Sequence, residues 1–433
     1  MANQKIFCNT PWYEAHIYWD GSLGICCQEN RKLHSDNQKY NIKNMSLSEW
    51  FNSEHVRTFR KSLLADTPTD ICNRCYHEEN LGGNSRRHRS NQKSVIFTRT
   101  GFHESFLQSP GYPHFKLSED TDGVTDTLPI DLHVDLGNYC NLACKMCRSD
   151  ASSTFASQMV KWGNEDHRQY LGTDWTKDSV TWNKFLNELL TIPKLQNIHF
   201  MGGETLLTAR FEEFVNFMTL HKRFDLCFSF VTNGTSFNES LLSKLKLFSR
   251  VGIEVSIETT TAHNNYVRQG TDTAKVLTNI QRYKDLCNNS TISVTIRPAV
   301  SALTIGYYYT LLEYCLEHKL LVKSNLVTNP GYLSAVRLPA DIRASYIDNY
   351  ERILSSIPAN IDIKKDYNES DPNNYINSIK IQTIQTLNML KVKGQQEELS
   401  ELIQHCRRWD DVYKLDARTL YPEFKELFDR HGY

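Results

Sequence analysis

Residues 134–150 read VDLGNYCNLACKMCRSD. The run LPIDLHVDL at 128–136 reads as a strand, and Cys140, Cys144 and Cys147 follow it directly, spaced C-x3-C-x2-C. Grouped thiols in a reducing compartment point to metal before disulfide. An iron–sulfur cluster of the [4Fe–4S] type is saturated by four thiolates, so three leave one iron with open coordination. Two plainer readings compete: a zinc site completed by a ligand elsewhere, and unrelated buried thiols.

Further apolar or β-branched runs lie downstream at LQNIHFM (195–201), DLCFSFVT (225–232), VGIEVSI (251–257), ISVTIRP (292–298) and KLLVKSNLV (319–327). Helix-like segments separate them: NKFLNELL, FEEFVNFMTLHKRF, ESLLSKLKLF, TAKVLTNIQRYKDL and YYYTLLEYCLEHK. Such alternation over six strands argues for parallel βαβ units, either a barrel or an open sheet. After Leu338 the pattern is helical to the end.

Upstream, HIYWDGSLGICC (16–27) carries a turn signal at Asp20-Gly21 between β-favouring runs, which predicts a hairpin. A helix is expected over SLSEWFNSEHVRTFRKSLL (46–64), capped by Ser46 or Ser48, and ICNRC (71–75) follows. Residues 81–127 hold Gly82-Gly83, the basic SRRHR and the acidic SEDTDG, and read as a linker with a helix inside it.

The chain has 433 residues, enough for two or three domains. Its 49 Lys plus Arg balance 50 Asp plus Glu, giving a net charge of −1. That balance gives no nucleic-acid signal. No apolar run of about 18 residues is present to span a membrane, and the first residues lack the blocks of a signal peptide. A cytoplasmic location is expected. Seven of the twelve cysteines sit in three groups, Cys26–Cys27, Cys72–Cys75 and Cys140–Cys144–Cys147.

The three-cysteine loop resembles the radical S-adenosylmethionine (SAM) superfamily, with Met146 in the apolar slot where relatives usually place an aromatic residue near the adenine. The resemblance extends along the chain. Gly202, Gly203 and Glu204 match the family's GGE segment, whose glycines let backbone approach the SAM amino group. Asn233 ends the third strand. Ser256 and Glu258 correspond to polar positions near the ribose and carboxylate of SAM, although Glu258-Thr259 departs from the commoner Asp-Gly. Arg268 and Arg297 are candidates for the SAM carboxylate or the substrate, and equally for surface ion pairs. Each segment falls at the C-terminal end of a different predicted strand, the face that carries active sites in β/α barrels. The implied fold is a partial (β/α)6 TIM-type barrel over residues 128–335, followed by a helical C-terminal region, 336–433.

Cys8, Cys26, Cys72 and Cys75 resemble the ligand set of twitch and SPASM modules, which hold auxiliary iron–sulfur clusters. Residues 1–80 are thus expected to form a small cysteine-rich α+β twitch-like domain with one auxiliary [4Fe–4S] cluster, placed before the core as in a smaller family of relatives. Gly21, Leu23 and Cys26 fit the return strand of the hairpin, which favours Cys26 over Cys27. A four-cysteine zinc site fits the same spacings. Single cysteines (Cys227, Cys287, Cys315, Cys406), Trp12 and Trp19 are read as packing residues. The stretch RRWDDVYKLDARTLYPEF (407–424) is read as a helix surface with paired charges.

The resemblance implies reductive cleavage of SAM to a 5′-deoxyadenosyl radical that takes a hydrogen atom from substrate, with the auxiliary cluster accepting or relaying electrons. Implied partners are SAM, an electron donor such as a flavodoxin or ferredoxin, and a substrate that is a peptide or protein. The alternatives are dehydrogenation of a small molecule and, in another class, a zinc-stabilised binding protein without catalysis.

Overall fold

The structure, a computed structural model, describes residues 6–29, 40–80, 85–93, 112–192, 195, 197–358, 374–393 and 399–432. The Gly82-Gly83 pair of the expected linker lies outside these residues.

In chain order the first elements are β1 (Glu14–Ile17), β2 (Leu23–Gly24), α1 (Leu47–Phe51), α2 (Glu54–Leu64), α3 (Asn73–Asn80), α4 (Arg86–Lys93), α5 (Tyr112–Asp120) and β3 (Asp131–Asp135). There follow β4 (Ala143–Cys144), α6 (Ser153–Lys161), α7 (Ser179–Thr191), β5 (Asn197–Met201), α8 (Ala209–Leu220), β6 (Cys227–Thr232), α9 (Glu239–Lys244) and β7 (Arg250–Val255). Next come α10 (Ala262–Val267), β8 (Arg268–Gln269), α11 (Thr273–Leu286), β9 (Ile292–Ile296), β10 (Ala299–Val300), α12 (Tyr308–Glu317), β11 (Leu321–Val322) and β12 (Asn325–Leu326). The C-terminal region is helical: α13 (Ala340–Ser345), α14 (Ile347–Ser356), α15 (Asn374–Leu390), α16 (Leu399–Tyr413), α17 (Ala417–Leu420) and α18 (Lys425–Arg430). The alternation of strands and helices is the expected α/β core. The last expected strand is reduced to two short ones, β11 and β12.

Two compact units divide the chain: residues 1–139 with 164–230 and 247–250, and residues 140–163 with 231–246 and 251–433. In the first, β1 pairs in parallel with β3, β3 with β5 and β5 with β6, while β2 closes an antiparallel hairpin onto β1. The hairpin turns at Gly21, whose φ of 85° suits a residue without a Cβ. Its first strand therefore continues the core sheet.

Strand alternation gives this sheet two unlike faces. One carries Leu132, Val134, Ile198, Phe200, Phe228 and Phe230, all buried, with the phenylalanines packed on Phe211 and Phe214 of α8. The other is polar. Register places His16, His133, His199 and Ser229 side by side across four strands, with Glu14, Asp131 and Asn197 in the row beneath.

The expected helix over 46–64 forms as two, α1 and α2, broken at Asn52-Ser53. Ser46 supplies a full capping box with Glu49. Part of the expected linker is fixed to the cysteine-bearing residues: Arg87 on α4 pairs with Glu79 and donates to the Phe7 carbonyl at 3.1 Å. A buried guanidinium has to find acceptors, and these lie on α3 and beside Cys8.

In the second unit β7, β9 and β11 run in parallel, β10 pairs with β12, and β4 pairs antiparallel with β8. Val251, Ile253 and Val255 alternate into a core with Val276, Ile280, Leu311 and Leu312. Among the described residues no helix is long and apolar enough to cross a membrane.

Candidate cluster sites

The three-cysteine loop is shaped by helix capping and by one short ladder. Ser152 caps α6 by accepting from the Phe155 N–H and donates its own hydroxyl to the Leu142 carbonyl at 2.9 Å. Cys144 pairs with Arg268 and Ala143 with Gln269 in the β4–β8 ladder, and the Lys145 N–H reaches the Val267 carbonyl at 2.8 Å. The loop is thereby tied at both ends before any ligand is considered.

Cys140 and Cys144 are buried and Cys147 is half-buried. Burial, then the neighbouring Cys140, pushes the Cys147 thiol up to about 12. Burial raises Cys144 further, against the pull of Arg268. A thiol under that desolvation penalty ionises only when a cation takes its charge, which is what ligation supplies. Donors already face the sulfurs. The Leu142 N–H lies 3.5 Å from Cys140 Sγ, Arg268 Nη1 3.7 Å from Cys144 Sγ, and Asn233 Nδ2 4.0 Å from Cys140 Sγ. Hydrogen bonds to sulfur of this kind tune iron–sulfur clusters.

Four sulfurs about 2.3 Å from one zinc stand roughly 3.8 Å apart. Among the described residues, Glu14, Cys27 and His133 form the only group of three or more His, Cys, Asp and Glu ligand atoms lying within 4.8 Å of one another. Neither Cys140, Cys144 and Cys147 nor Cys8, Cys26, Cys72 and Cys75 are drawn in that tightly.

The remaining residues expected at this site take distinct places. Glu258 is fully buried and its carboxylate holds Arg268 at both oxygens, one at 2.7 Å, while also accepting the Ala299 N–H at 3.2 Å. Glu258 and Arg268 are thus occupied by each other. Although burial pulls it down, Glu258 and the Cys144 sulfur hold the Arg268 guanidinium charged, above its ordinary value. Arg297 pairs with Glu254 at 3.0 Å, half-exposed. Asn233 donates to Asn141 at 2.8 Å, and its own carbonyl oxygen accepts from the Thr235 N–H. Ser256 is half-buried with its N–H on the Thr232 carbonyl. Met146 packs against the apolar group of Cys140, Leu142 and Cys144.

Gly202 and Gly203 belong to the first unit and have φ of 81° and 47°. A Cβ on Gly203 would lie 2.1 Å from the Tyr139 carbonyl oxygen, and one on Gly202 2.3 Å from that of Gly137. The Glu204 N–H donates to the same Tyr139 carbonyl at 2.7 Å, and its carboxylate accepts the Leu206 N–H. The GGE segment therefore clasps the backbone that leads into Cys140.

The C-terminal helix α16 contributes a part that sequence reading missed. Arg407, Arg408, Asp411 and Asp416 are exposed as expected, but Trp409 is fully buried with Ala143, Phe155 and Met159. The Lys145 ammonium lies 3.8 Å from the Tyr266 ring and 4.8 Å from that of Trp409, and burial pulls it down to about 8. Asp410, also buried, accepts the Ala417 N–H at 2.6 Å. A helix-spaced aromatic in a charged stretch was the available signal. Of the single cysteines, Cys315 and Cys406 are buried while Cys227 and Cys287 are only half-buried.

In the first unit Cys8 lies among the other auxiliary thiols. Burial, ahead of Cys75, raises Cys8 to about 11. Burial, ahead of Cys8 and Cys75, raises Cys72 to about 12, and burial, ahead of Cys27, Glu14, Glu29 and Cys8, raises Cys26. Burial also raises Cys27, which feels Arg86 and Glu14. Both neighbouring cysteines thus feel Glu14, while Cys8 acts on Cys26 and Arg86 on Cys27. Trp12 is buried with its indole N–H on Ser118 at 2.9 Å, and Trp19 is buried beside Tyr170, so both are packing residues.

The Radical SAM superfamily model matches residues 134–301, and the SPASM model, an iron–sulfur cluster-binding domain, matches residues 8–76. Among solved structures the chain is similar to native anSMEcpe with bound AdoMet and Cp18Cys peptide, at 19% identity and a TM-score of 0.34, over 52% of this chain and 60% of that one. It is similar also to Streptococcus suis SuiB bound to precursor peptide SuiA, at 15% identity and a TM-score of 0.38, over 72% of this chain and 66% of that one. The chain thus spans 60% of the length of the first of these. No curated protein matches it.

Proposed function

This chain belongs to the radical SAM superfamily, with an iron–sulfur cluster-binding domain ahead of the radical SAM domain, and from that premise we propose that it is an enzyme carrying out radical chemistry on a peptide or protein. Cys140, Cys144 and Cys147 would hold the first cluster, and Cys8, Cys26, Cys72 and Cys75 the auxiliary one. Bound there, the first cluster and SAM supply the chemistry, reductive cleavage to a 5′-deoxyadenosyl radical. The chain's own part is to leave one iron without a thiolate, since the loop offers three cysteines. That is the observation on which the proposal stands.

Arg268 would place a fixed positive charge and an N–H donor on the Cys144 sulfur, with Glu258 holding it in position. Met146, Asn233, Ser256 and Arg297 are proposed SAM or substrate contacts, and Gly202, Gly203 and Glu204 are proposed from the family motif. The peptide or protein class rests on the resemblance of the auxiliary module alone. An electron donor of the flavodoxin or ferredoxin type completes the reading. Anaerobic reduction in the presence of SAM tests it: 5′-deoxyadenosine forms with the wild type and not when the three cysteines are alanine.

A further inference from the structure

The polar face of the first unit's sheet carries three histidines in register, His16, His133 and His199, with ring centroids 5.8 and 5.2 Å apart along the row. His199 Nδ1 lies 2.7 Å from Ser229 Oγ, and His16 Nε2 lies 3.2 Å from Asp135. His133, at the centre of the row, is joined by Glu14 from β1 and by Cys27 from beyond the hairpin. Each of the three offers one ligand atom, and these atoms lie within 4.8 Å of one another. Glu14 Oε1 stands 3.7 Å from His133 Nε2.

We propose that Glu14, Cys27 and His133 form a site for a single divalent transition-metal ion, distinct from both cluster sites. Four features support it. Oxygen and nitrogen ligands about 2.0–2.1 Å from a tetrahedral ion stand roughly 3.3–3.4 Å apart, and Glu14 Oε1 and His133 Nε2, at 3.7 Å, need to close by only a few tenths of an ångström. Carboxylate, thiolate and imidazole together are a donor set for zinc or iron(II), ions of borderline softness. The Glu14 side chain is fully buried, and its Oε1 has no hydrogen-bonding partner among the described residues while Oε2 is taken by Arg86. An outer partner that holds one carboxylate oxygen and leaves the other free is how ligating carboxylates are oriented.

The proposal also gives the Cys26–Cys27 doublet a purpose: two adjacent thiols serve two different groups. Three protein ligands leave a fourth position open, as in catalytic zinc sites, so the site would take a water or a substrate oxygen or nitrogen. Arg86 Nη2 donates to His133 Nε2 at 3.4 Å, so an ion bound at that nitrogen would have to displace this hydrogen bond. The alternative is that Arg86 alone balances Glu14 and no ion enters.

The test uses the full chain, purified anaerobically with its clusters, exposed to zinc and then desalted. We expect about one zinc per chain in the wild type and roughly a tenth of that in Cys27→Ser and in His133→Gln, with iron content unchanged in all three. Zinc in the wild type no higher than in these variants overturns the proposal. Should a variant not fold, X-ray absorption at the zinc edge of the wild type decides. One sulfur at about 2.3 Å with nitrogen or oxygen at about 2.0–2.1 Å supports the site. An all-sulfur shell places zinc in a cysteine set and overturns it. Neither result depends on SAM cleavage.

Discussion

Arg268 gives Nε and Nη2 to the two oxygens of Glu258 and stands with Nη1 3.7 Å from the sulfur of Cys144. Both side chains are buried. The pair thus fixes a positive charge beside one expected cluster ligand, and removing either member has a different consequence. Glu258→Gln leaves a buried guanidinium without its counter-charge and should cost on the order of 3 kcal/mol of stability, read by urea denaturation. Arg268→Gln removes charge and donor from the sulfur and should move the potential of the first cluster to more negative values, read by an EPR redox titration. An unchanged potential would show that the arginine serves packing alone.

The second prediction separates the two adjacent thiols of the hairpin. Cys26→Ala should lower iron by about four atoms per chain, as should removal of Cys72 and Cys75, while the EPR signal of the first cluster persists. Cys27→Ala should retain that iron. Equal loss from both alanine variants would contradict the assignment of Cys26 to the four-cysteine set.

Gly203 tests the clasp on the backbone before Cys140. A methyl group there meets the Tyr139 carbonyl oxygen at 2.1 Å, at a φ of 47° that L-residues rarely adopt. Gly203→Ala should destabilise by a few kcal/mol, on the order of other strained backbone substitutions, and lower the thermal midpoint. Gly163→Ala is the control for φ alone. It also has positive φ, 84°, but nothing lies within 4 Å of its would-be Cβ, so it should cost less.

Acid sensitivity in the second unit should draw on two histidines, His405, which burial pulls down to about 3, and His263. Its Nε2 lies 2.9 Å from the Leu420 carbonyl, its Nδ1 2.8 Å from Thr261 Oγ1, and its ring stacks on Tyr307. Burial pulls the imidazole down to about 4, against the raising effect of the Leu420 carbonyl, from an ordinary value of 6.5. Between those values the unfolded chain binds a proton that the folded one does not. Stability therefore rises with pH in that window and is lost as pH falls from about 6.5 towards 4. Urea midpoints at pH 7 and pH 5 should fall further for the wild type than for His263→Gln. Parallel falls would remove His263 from the account.

Much of this architecture can be read from the chain itself, because strands such as 131–135 and 197–201 and helices such as 273–286 bury one face and carry the periodicity that burial demands. The hairpin at Gly21 was legible for the same reason. Its pairing onto β3 was not, since register between strands more than a hundred residues apart leaves no local mark. The polar row of His16, His133 and His199 lay in plain alternation, as EAHI, DLHVD and NIHFM, but a polar residue at every second position usually means solvent, and here it means an inner face. Glu258 and Arg268 were legible as polar positions and not as partners. Trp409 was hidden in a stretch whose charges do face water; only packing against Ala143 and Phe155 reveals it.

The account depends most on three thiolates leaving one iron open to SAM, and its most direct measurement is 5′-deoxyadenosine released on anaerobic reduction with SAM. Wild-type chain with its clusters should release it. The variant with Cys140, Cys144 and Cys147 changed to alanine should release none while keeping its auxiliary iron. Equal release by both, or none from a wild type that carries the full iron content, would contradict it.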